Sequence, residues 1–323
     1  FVKAVATGVY MLRLVLVKIY VKRKYPALDF YAEPNEGALK QKNAALLHQV
    51  VGIIVNNTDT TVLTICLGAK SLLEVSVYGI YMMVVNAVNQ LMTSFSNGLT
   101  AGFGEVIAKN EEETLKKSYS SYEYMYFVIM FIVIACMGVL ILPFVGVYTI
   151  NLTDVQYVRP VLGILFTLIV FMQNVRIPGL TIICAAGHYK ETRYQAILEA
   201  VINITVSLGL VWKFGMAGVL LGTVCSYGYR SFEIVFYTSR HLVKGCAKKS
   251  MFRILRNVFT VAILCTVGTY VIPQEITSFT TWFLYAIGMG LTSVFFVVVI
   301  NYVVEPDEFM QLRHRVNDII KKE

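Results

Sequence analysis

Long apolar runs recur along the whole chain, and they limit its fold more than any other feature. Each run is followed by a short polar patch that is rich in lysine and arginine. A helical run of about 18 or more apolar residues is long enough to cross the hydrocarbon core of a bilayer. Because only 15% of the residues are charged, against about 25% in soluble domains, a soluble globular enzyme is not expected. The sequence predicts an all-α, polytopic transmembrane helical bundle.

The apolar runs define about nine predicted spans, and the basic residues between them predict an orientation. The spans are 1–21, 44–68, 72–95, 122–148, 161–185, 194–212, 216–237, 254–272 and 281–303. If the first span ends in the cytoplasm, 20 Lys and Arg residues lie in cytoplasmic segments and 3 in external ones. Since retained Lys and Arg residues orient membrane proteins, this bias predicts a cytoplasmic C-terminus. The net charge of +8 is therefore assigned to membrane orientation, with no nucleic-acid partner.

Motifs for catalysis or metal binding are missing from the sequence. The six cysteines have no CxxC spacing, and the four histidines lie far apart without an HExxH motif. There is also no GxSxG elbow, Walker A loop or Rossmann fingerprint. We therefore expect no enzyme, no metal site and no cofactor, with Na+ or H+ coupling left open as a source of energy.

Polar residues follow one helical face in several predicted spans. Such a stripe marks the side that is turned toward protein or water, because polar groups are costly in hydrocarbon. The stripes are His48, Gly52, Asn56 and Asp59; Tyr78, Met82, Asn86, Gln90, Thr93 and Asn97; Gln195, Glu199, Asn203 and Ser207; and Thr223, Tyr227, Arg230, Glu233 and Tyr237. Arg13 adds a cation within the first span. The fifth span adds Gln173, Asn174 and Arg176 just before Pro178, which is expected to break this span. Together these stripes predict a polar cavity of the kind that transporters build at broken helices.

The polar stripes also have a structural interpretation. For each residue taken alone, a hydrogen bond to a neighbouring helix is an equal alternative to a contact with a substrate. Arg230 and Glu233, three residues apart, can form an ion pair that serves packing only.

Short motifs within residues 43–240 follow the order of a known family. They are Asn-Asn-Thr-Asp-Thr at 56–60, Leu-Gly at 67–68, Glu-Val-Ser-Val-Tyr-Gly-Ile-Tyr at 74–81, Asn-Gly-Leu-Thr-Ala-Gly-Phe-Gly-Glu at 97–105, Ala-Ala-Gly-His-Tyr-Lys-Glu-Thr-Arg at 185–193, Glu-Ala-Val-Ile-Asn at 199–203 and Gly-Val-Leu-Leu-Gly-Thr at 218–223. These segments resemble the seventh, eighth, eleventh and twelfth helices of bacterial polysaccharide flippases. Those proteins are the O-antigen, teichoic-acid and capsule repeat-unit translocases of the multidrug/oligosaccharidyl-lipid/polysaccharide (MOP) exporter superfamily.

The resemblance implies a MATE-like MOP exporter fold with two six-helix lobes and a peripheral helix pair. Residues 1–21 would be the last helix of the N-terminal lobe, and 22–42 a cytoplasmic linker. Residues 43–240 would form the C-terminal lobe. Residues 241–323 would add a cytoplasmic loop, two peripheral helices and a cytoplasmic tail. About five earlier helices are then expected before Phe1.

The resemblance further implies that the protein flips a polyprenyl-pyrophosphate-linked oligosaccharide by alternating access. The expected location is the bacterial cytoplasmic membrane, with membrane lipids, the lipid-linked glycan, a polysaccharide polymerase and other assembly proteins as partners. Arginine suits a pyrophosphate through charge-assisted hydrogen bonds, and amides suit sugar hydroxyls. The candidate residues are Arg13, Arg176 and Arg230 for the pyrophosphate; Asn56, Asn86, Gln90 and Asn203 for the sugars; and Asp59, Glu199 and Glu233 for coupling cations or for balancing the arginines.

Other functions remain open from the sequence. A cation-coupled multidrug exporter of the same superfamily is the main alternative, and a peptidoglycan-precursor flippase is a close relative of the first interpretation. The predicted spans hold five basic and five acidic residues. Of these, Glu74 and Glu123 are expected at the interface, which leaves the interior slightly basic. An integral-membrane glycan-processing enzyme ranks lower, because the longest external connectors offer only Asp154 and Glu275 as carboxylates.

Overall fold

The structure is a computed structural model that describes residues 2–26, 41–96, 99–273 and 275–310. It is 87% helical and has no strand within these residues. The helices are α1 (Val2–Lys24), α2 (Lys42–Cys66), α3 (Ser71–Ser96), α4 (Leu99–Ala108), α5 (Glu112–Tyr148), α6 (Pro160–Val175), α7 (Ile177–Ala185), α8 (Arg193–Phe214), α9 (Met216–His241), α10 (Ala247–Val271) and α11 (Phe279–Val304). Most of the predicted linker, residues 27–40, and the tail from 311 onward lie outside the described residues. The predicted all-helical fold class is confirmed.

Seven helical segments of the described residues are long and apolar enough to cross a membrane. Each predicted span coincides with a helix, and the fifth is divided between α6 and α7. α2 and α9 are as long as the others but are not among the seven. These two helices carry the polar stripes that lower their hydropathy. The structure therefore supports a multi-pass membrane protein, and the number nine stays a prediction.

The chain divides into two compact units, Phe1–Lys42 and Asn43–Glu323, and each is described by itself. The first unit contains α1, an apolar helix whose last turn is basic through Lys22, Arg23 and Lys24. Its described side chains are almost all exposed.

The second unit is built around α5, the longest helix in it. α6, α10 and α11 pack against α5, and α9 packs against both α6 and α8. Phe127, Met130, Phe131, Ala135 and Val145 of α5 are each at most 1% exposed. A helix that is apolar on all sides is expected at the centre of a bundle, and here α5 contacts both α6 and the pair α10–α11.

The α8–α9 hairpin is closely packed because small residues lie at its contact. Gly215 makes the turn with φ +57, a conformation that L side chains rarely adopt. A Cβ at Gly218 would collide with the Leu210 carbonyl, and one at Gly222 with Ser207 Oγ. This small-xxx-small spacing lets two membrane helices approach closely. It places the polar face of α8 directly against that of α9.

The predicted break of the fifth span is confirmed, and it lies at Arg176. Pro178 has no N–H to continue the ladder, and α6 ends one residue before Arg176 while α7 begins one residue after it. The Arg176 N–H donates to the Asn174 carbonyl. The Met172 carbonyl, four residues before Arg176, instead accepts a 2.6 Å hydrogen bond from Ser231 Oγ of α9. The break is therefore held in place by the neighbouring helix.

Candidate functional site

A polar cavity of about 340 Å³ lies between α2 and the group α6–α9. α2 makes few close backbone approaches to the other described helices, which leaves room for this space. The cavity wall combines charged and amide groups with aliphatic side chains. Its polar lining includes His48, Gln49, Asn56, Gln173, Arg176, Tyr189, Thr192, Glu199, Tyr227 and Arg230. The structure thus brings together four of the predicted site residues, Asn56, Arg176, Glu199 and Arg230.

A chain of four alternating charges forms one side of the cavity. Glu199 of α8 is its centre: Oε1 accepts from Arg176 Nη1, and Oε2 lies 3.5 Å from Arg230 Nε. Arg230 Nη1 also donates to Glu233 Oε2, one turn along α9. The side chains of Arg230 and Glu199 are 3% and 9% exposed. Two arginines and two glutamates therefore balance one another out of bulk water.

The helix break gives Arg176 its position in this chain. From the interrupted turn its guanidinium lies over the ring of Tyr227, 4.5 Å from the centroid. Such a cation–π contact adds to the pairing with Glu199. Arg176 Nε is buried and has no hydrogen-bond partner. One face of this guanidinium is thus held by α8 and α9, and one donor remains for a further acceptor.

A second cluster, rich in oxygen atoms, surrounds Asp59. Thr223 Oγ1 donates to Asp59 Oδ1 at 2.7 Å, and the Tyr78 hydroxyl donates to Oδ2 at 3.3 Å. Asp59 is 4% exposed and forms no ion pair within the described residues. Asn203 Nδ2 donates to Thr223 Oγ1 at 3.0 Å, and Asn203 Oδ1 is buried with no partner. We name Asp59, Tyr78, Asn203 and Thr223 the aspartate cluster.

The three predicted acids differ in the partners of their carboxylates. Glu199 and Glu233 are directly paired with arginines, as charge balancing requires. Asp59 has only neutral hydrogen-bond donors as partners in the described part of the chain. Carboxylate, hydroxyl and amide oxygens are the ligands that hard cations prefer. Asp59 is therefore the acid that is best placed to hold a monovalent cation.

One end of the cavity is closed by hydrogen bonds between α2 and the connector that joins α7 to α8. His48 Nε2 lies 3.0 Å from the Tyr189 carbonyl and 3.3 Å from Thr192 Oγ1. Thr192 is 1% exposed. His48 thus packs α2 against this connector.

Three of the predicted substrate residues of the second unit, Asn86, Gln90 and Asn203, do not line the cavity. Asn86 and Gln90 are exposed on α3. Arg13 is exposed on α1, in the separate first unit. Asn203 is fully buried in the aspartate cluster rather than presented to the cavity. Their predicted contacts with a substrate stay predictions.

An amide network joins α3 to the end of α6, and sequence reasoning named its members Gln173 and Asn174 but missed Asn89. Asn89 Nδ2 donates to Gln173 Oε1, and Asn174 Nδ2 donates to Asn89 Oδ1, both at 2.9 Å. The Tyr126 hydroxyl of α5 donates to Asn174 Oδ1 at 2.9 Å. The signal was the spacing of Asn89 from the buried residue Val85, four positions earlier. The predicted stripe through Asn86 lies on a neighbouring, exposed face.

Glu123 is 2% exposed inside the protein, and its Oε2 accepts from Arg253 Nη1 at 3.0 Å. Arg253 also contacts Glu305 at 3.1 Å and Glu308 at 3.4 Å. The pairing with Arg253 was not predicted, because α10 begins at Ala247, seven residues before the predicted span, so Arg253 is part of the helix rather than of a connector. Glu74 is partly exposed and is paired with Arg159. The expected position of both acids at the membrane interface stays a prediction.

Comparison with known proteins adds no family to this geometry. No protein-family model matches the sequence, and no curated protein matches it. We therefore infer the function from the residues and geometry of the cavity.

Proposed function

We propose that this chain is part of a membrane translocase that flips a polyprenyl-pyrophosphate-linked oligosaccharide from the cytoplasmic to the outer leaflet. One observation carries the proposal: Arg176 at a helix break and Arg230 of α9 both line a polar cavity within a membrane helix bundle. Ionisable residues at such places mark substrate and ion pathways. The nearby amides of Asn56 and Gln173 suit sugar hydroxyls.

The ion pairs fit a reversible binding site for an anion. A buried guanidinium without a partner is costly, so Glu199 and Glu233 keep the arginines paired while no substrate is bound. A pyrophosphate accepts the same charge-assisted, bidentate hydrogen bonds as a carboxylate. It can therefore displace Glu199 from Arg176, whose Nε has no partner in the unbound arrangement. Binding then exchanges one ion pair for another instead of stripping water from a bare charge.

The aspartate cluster is proposed as the site of a coupling cation. A monovalent cation at Asp59 would receive the carboxylate charge together with oxygens of Thr223 and Asn203. Since Asp59 is on α2 while Thr223 and Asn203 are on α9 and α8, the cation would draw α2 toward the hairpin. That movement would narrow the cavity, which is the kind of change that alternating access needs.

A thermal-stability measurement tests the coupling site separately from transport. We expect Na+ to raise the melting temperature of the purified protein relative to K+ at equal ionic strength. Asp59→Asn should remove this effect, whereas Glu233→Gln, which alters an acid that is paired with arginine, should keep it. An unchanged Na+ response in Asp59→Asn contradicts the site. A response to pH alone would identify a proton as the coupling ion.

The wider arrangement is part of the same proposal. We infer nine spans in the MOP exporter fold, with α2–α9 in one lobe and α10–α11 as a peripheral pair. The lysine and arginine bias favours a cytoplasmic C-terminus, and the resemblance implies the bacterial cytoplasmic membrane. Membrane lipids and polysaccharide assembly proteins are the proposed partners.

A multidrug exporter is the second candidate, and the net charge of the two clusters together favours it. The three acids Asp59, Glu199 and Glu233 outnumber the two arginines of the two clusters. The cavity lining itself holds both arginines and, of these acids, Glu199. Unbalanced acids beside the cavity suit a cationic drug better than they suit a pyrophosphate.

Lipid extraction from cells tests the proposed cargo. The full-length gene is deleted in its host under conditions that tolerate loss of the polymer, and polyprenyl-pyrophosphate lipids are quantified by mass spectrometry. We expect one complete repeat unit to accumulate on its lipid. Wild type and Arg193→Gln, a change of a half-buried arginine outside the cavity lining, should reverse the accumulation, and Arg176→Gln should not. Unchanged lipid pools together with new sensitivity to cationic drugs would instead support the exporter.

A further inference from the structure

A second polar cavity, of about 260 Å³, lies beside the start of α5 and away from the charged chain. Its walls come from the first turns of α5, the connector that joins α9 to α10, the start of α10, and Glu308 beyond α11. We propose that this cavity binds the phosphate head group of an anionic phospholipid of the surrounding membrane. The inference depends on the membrane placement of the bundle and is independent of the proposed cargo.

Unpaired lysines supply the charge for a phosphate. Lys116 and Lys117 line the cavity and are exposed, and their ammonium groups form no ion pair or hydrogen bond with the described residues. Glu113 is the exposed carboxylate in the same lining. Lys248 is exposed at the first turn of α10 and is likewise unpaired in the described part. The free charges therefore leave a net positive patch at the mouth of the cavity.

The cavity floor is held rigid by the Arg253 network. Lys249 Nζ donates to Glu308 Oε1 at 2.6 Å and to Ser120 Oγ at 3.1 Å. Arg253 Nη2 donates to the same Ser120 Oγ at 3.2 Å. Glu123, below them, accepts from Ser250 Oγ at 2.6 Å. These contacts engage the donors of Lys249, Ser250 and Arg253, so Lys116 and Lys117 remain as the donors for a ligand.

An exposed apolar stripe lies where the acyl chains of a lipid would run. Lys248, Phe252, Leu255 and Phe259 follow one face of α10, at spacings of four, three and four residues. The three apolar residues are 53%, 63% and 70% exposed. This face of α10 thus begins with a lysine near the start of the helix and continues with exposed apolar side chains. This is the order of groups in a phospholipid, with a phosphate at one end and acyl chains below it.

The position along α5 agrees with a membrane interface. The charged segment Glu111–Lys117 is followed by the tyrosine-rich residues 119–126 and then by the apolar run from Phe127. Tyrosine and lysine are enriched at the head-group level of membrane helices. Basic pockets between helices at this level recognise anionic head groups. The cavity therefore lies where a head group would meet it.

Native mass spectrometry of the full chain in detergent tests the proposal. The probes are dioctanoyl phosphatidylglycerol, dioctanoyl phosphatidylcholine and inorganic phosphate. We expect the double variant Lys116→Gln, Lys117→Gln to weaken phosphatidylglycerol binding about 30-fold. This corresponds to about 1 kcal/mol for each lysine near a membrane surface. Lys70→Gln, a change of an exposed lysine outside this cavity, should bind like wild type.

Three outcomes overturn the proposal. Equal phosphatidylglycerol affinity in the double variant and in Lys70→Gln would mean that the cavity does not hold the head group. Equal affinity for phosphatidylcholine would remove the role of net negative charge. Binding of inorganic phosphate as tight as that of the lipid would assign the cavity to a soluble anion. Because Lys116 and Lys117 are exposed and unpaired among the described residues, their replacement leaves folding intact.

Discussion

Removing the carboxylate of Glu199 is the most informative single change in the charged chain. Glu199→Gln keeps the size of the side chain but leaves Arg176 without an anionic partner in the described residues. Arg230 keeps only Glu233. The charge of the four-residue chain then changes from zero to +1, in a place where Arg230 is 3% exposed. Removing one partner of a buried ion pair lowers the free energy of unfolding by about 3–5 kcal/mol.

A matched control gives the scale for this effect. Glu105→Gln makes the same chemical change in the pair between Glu105 and Lys109, where the side chains are 67% and 59% exposed. An exposed pair four residues apart on a helix contributes about 0.5 kcal/mol or less. The predicted difference between the two variants is therefore at least about 2.5 kcal/mol. Chemical unfolding in detergent, followed by circular dichroism, measures it.

A double variant separates the ion pair from the loss of either side chain. In Arg176→Gln, Glu199→Gln both charges are absent, so Arg230 and Glu233 remain as a neutral pair. We expect the double variant to lose about 2 kcal/mol less stability than the sum of the two single variants. A free energy of unfolding for Glu199→Gln that lies within about 0.5 kcal/mol of the value for Glu105→Gln would refute this reasoning. Strict additivity in the double variant would also refute it.

Three further predictions follow from other parts of the bundle. Gly222→Ala should reduce the yield of folded protein in size-exclusion chromatography, because its Cβ would collide with Ser207 Oγ, whereas Gly209→Ala, with open space around it, should not. The pKa of Glu308 lies below 4.5: burial raises it, but hydrogen bonds from Lys249 and Ser120 lower it by more. The ionised Glu308 therefore stabilises the folded protein at any pH above the pKa that Glu308 has in the unfolded chain. This stabilisation is lost as the pH falls through the lower pKa that Glu308 has in the folded protein. The stability difference between wild type and Glu308→Gln should shrink on titration from about pH 6 to about pH 3. Glu74→Gln should lower the melting temperature by a few degrees, because both carboxylate oxygens accept from Arg159, at 2.8 and 3.0 Å.

The helices were predictable because a bilayer-length apolar run leaves the backbone few alternatives. Pro178 also predicted the break at Arg176. The polar stripes predicted that α8 and α9 face each other. Helix lengths outside the apolar runs were not predictable in this way. α5 begins at Glu112 and α10 at Ala247. The first turns of α10 are anchored by Lys249 and Arg253, which pair with Glu308 and Glu123.

The pairing of charges could not be read from the sequence, because it depends on which helices are neighbours. Spacing alone suggested the pair of Arg230 with Glu233, but the bridging role of Glu199 needs the break at Arg176. Likewise, Glu123 and Arg253 are 130 residues apart in the chain. A one-face stripe also leaves the rotation of a helix uncertain by one residue, which is why Asn89 was missed on α3.

A direct flipping assay tests the central claim of a lipid-linked glycan translocase. The full-length protein is reconstituted in liposomes that carry a radiolabelled polyprenyl-pyrophosphate oligosaccharide, and a membrane-impermeant periodate reagent oxidises the sugars on the outer leaflet. The account predicts that wild type exposes the inner-leaflet pool over time and that Arg176→Gln slows this exposure, with Arg193→Gln as the unaffected control. Oxidation that stops at the outer-leaflet pool, as in protein-free liposomes, would contradict it.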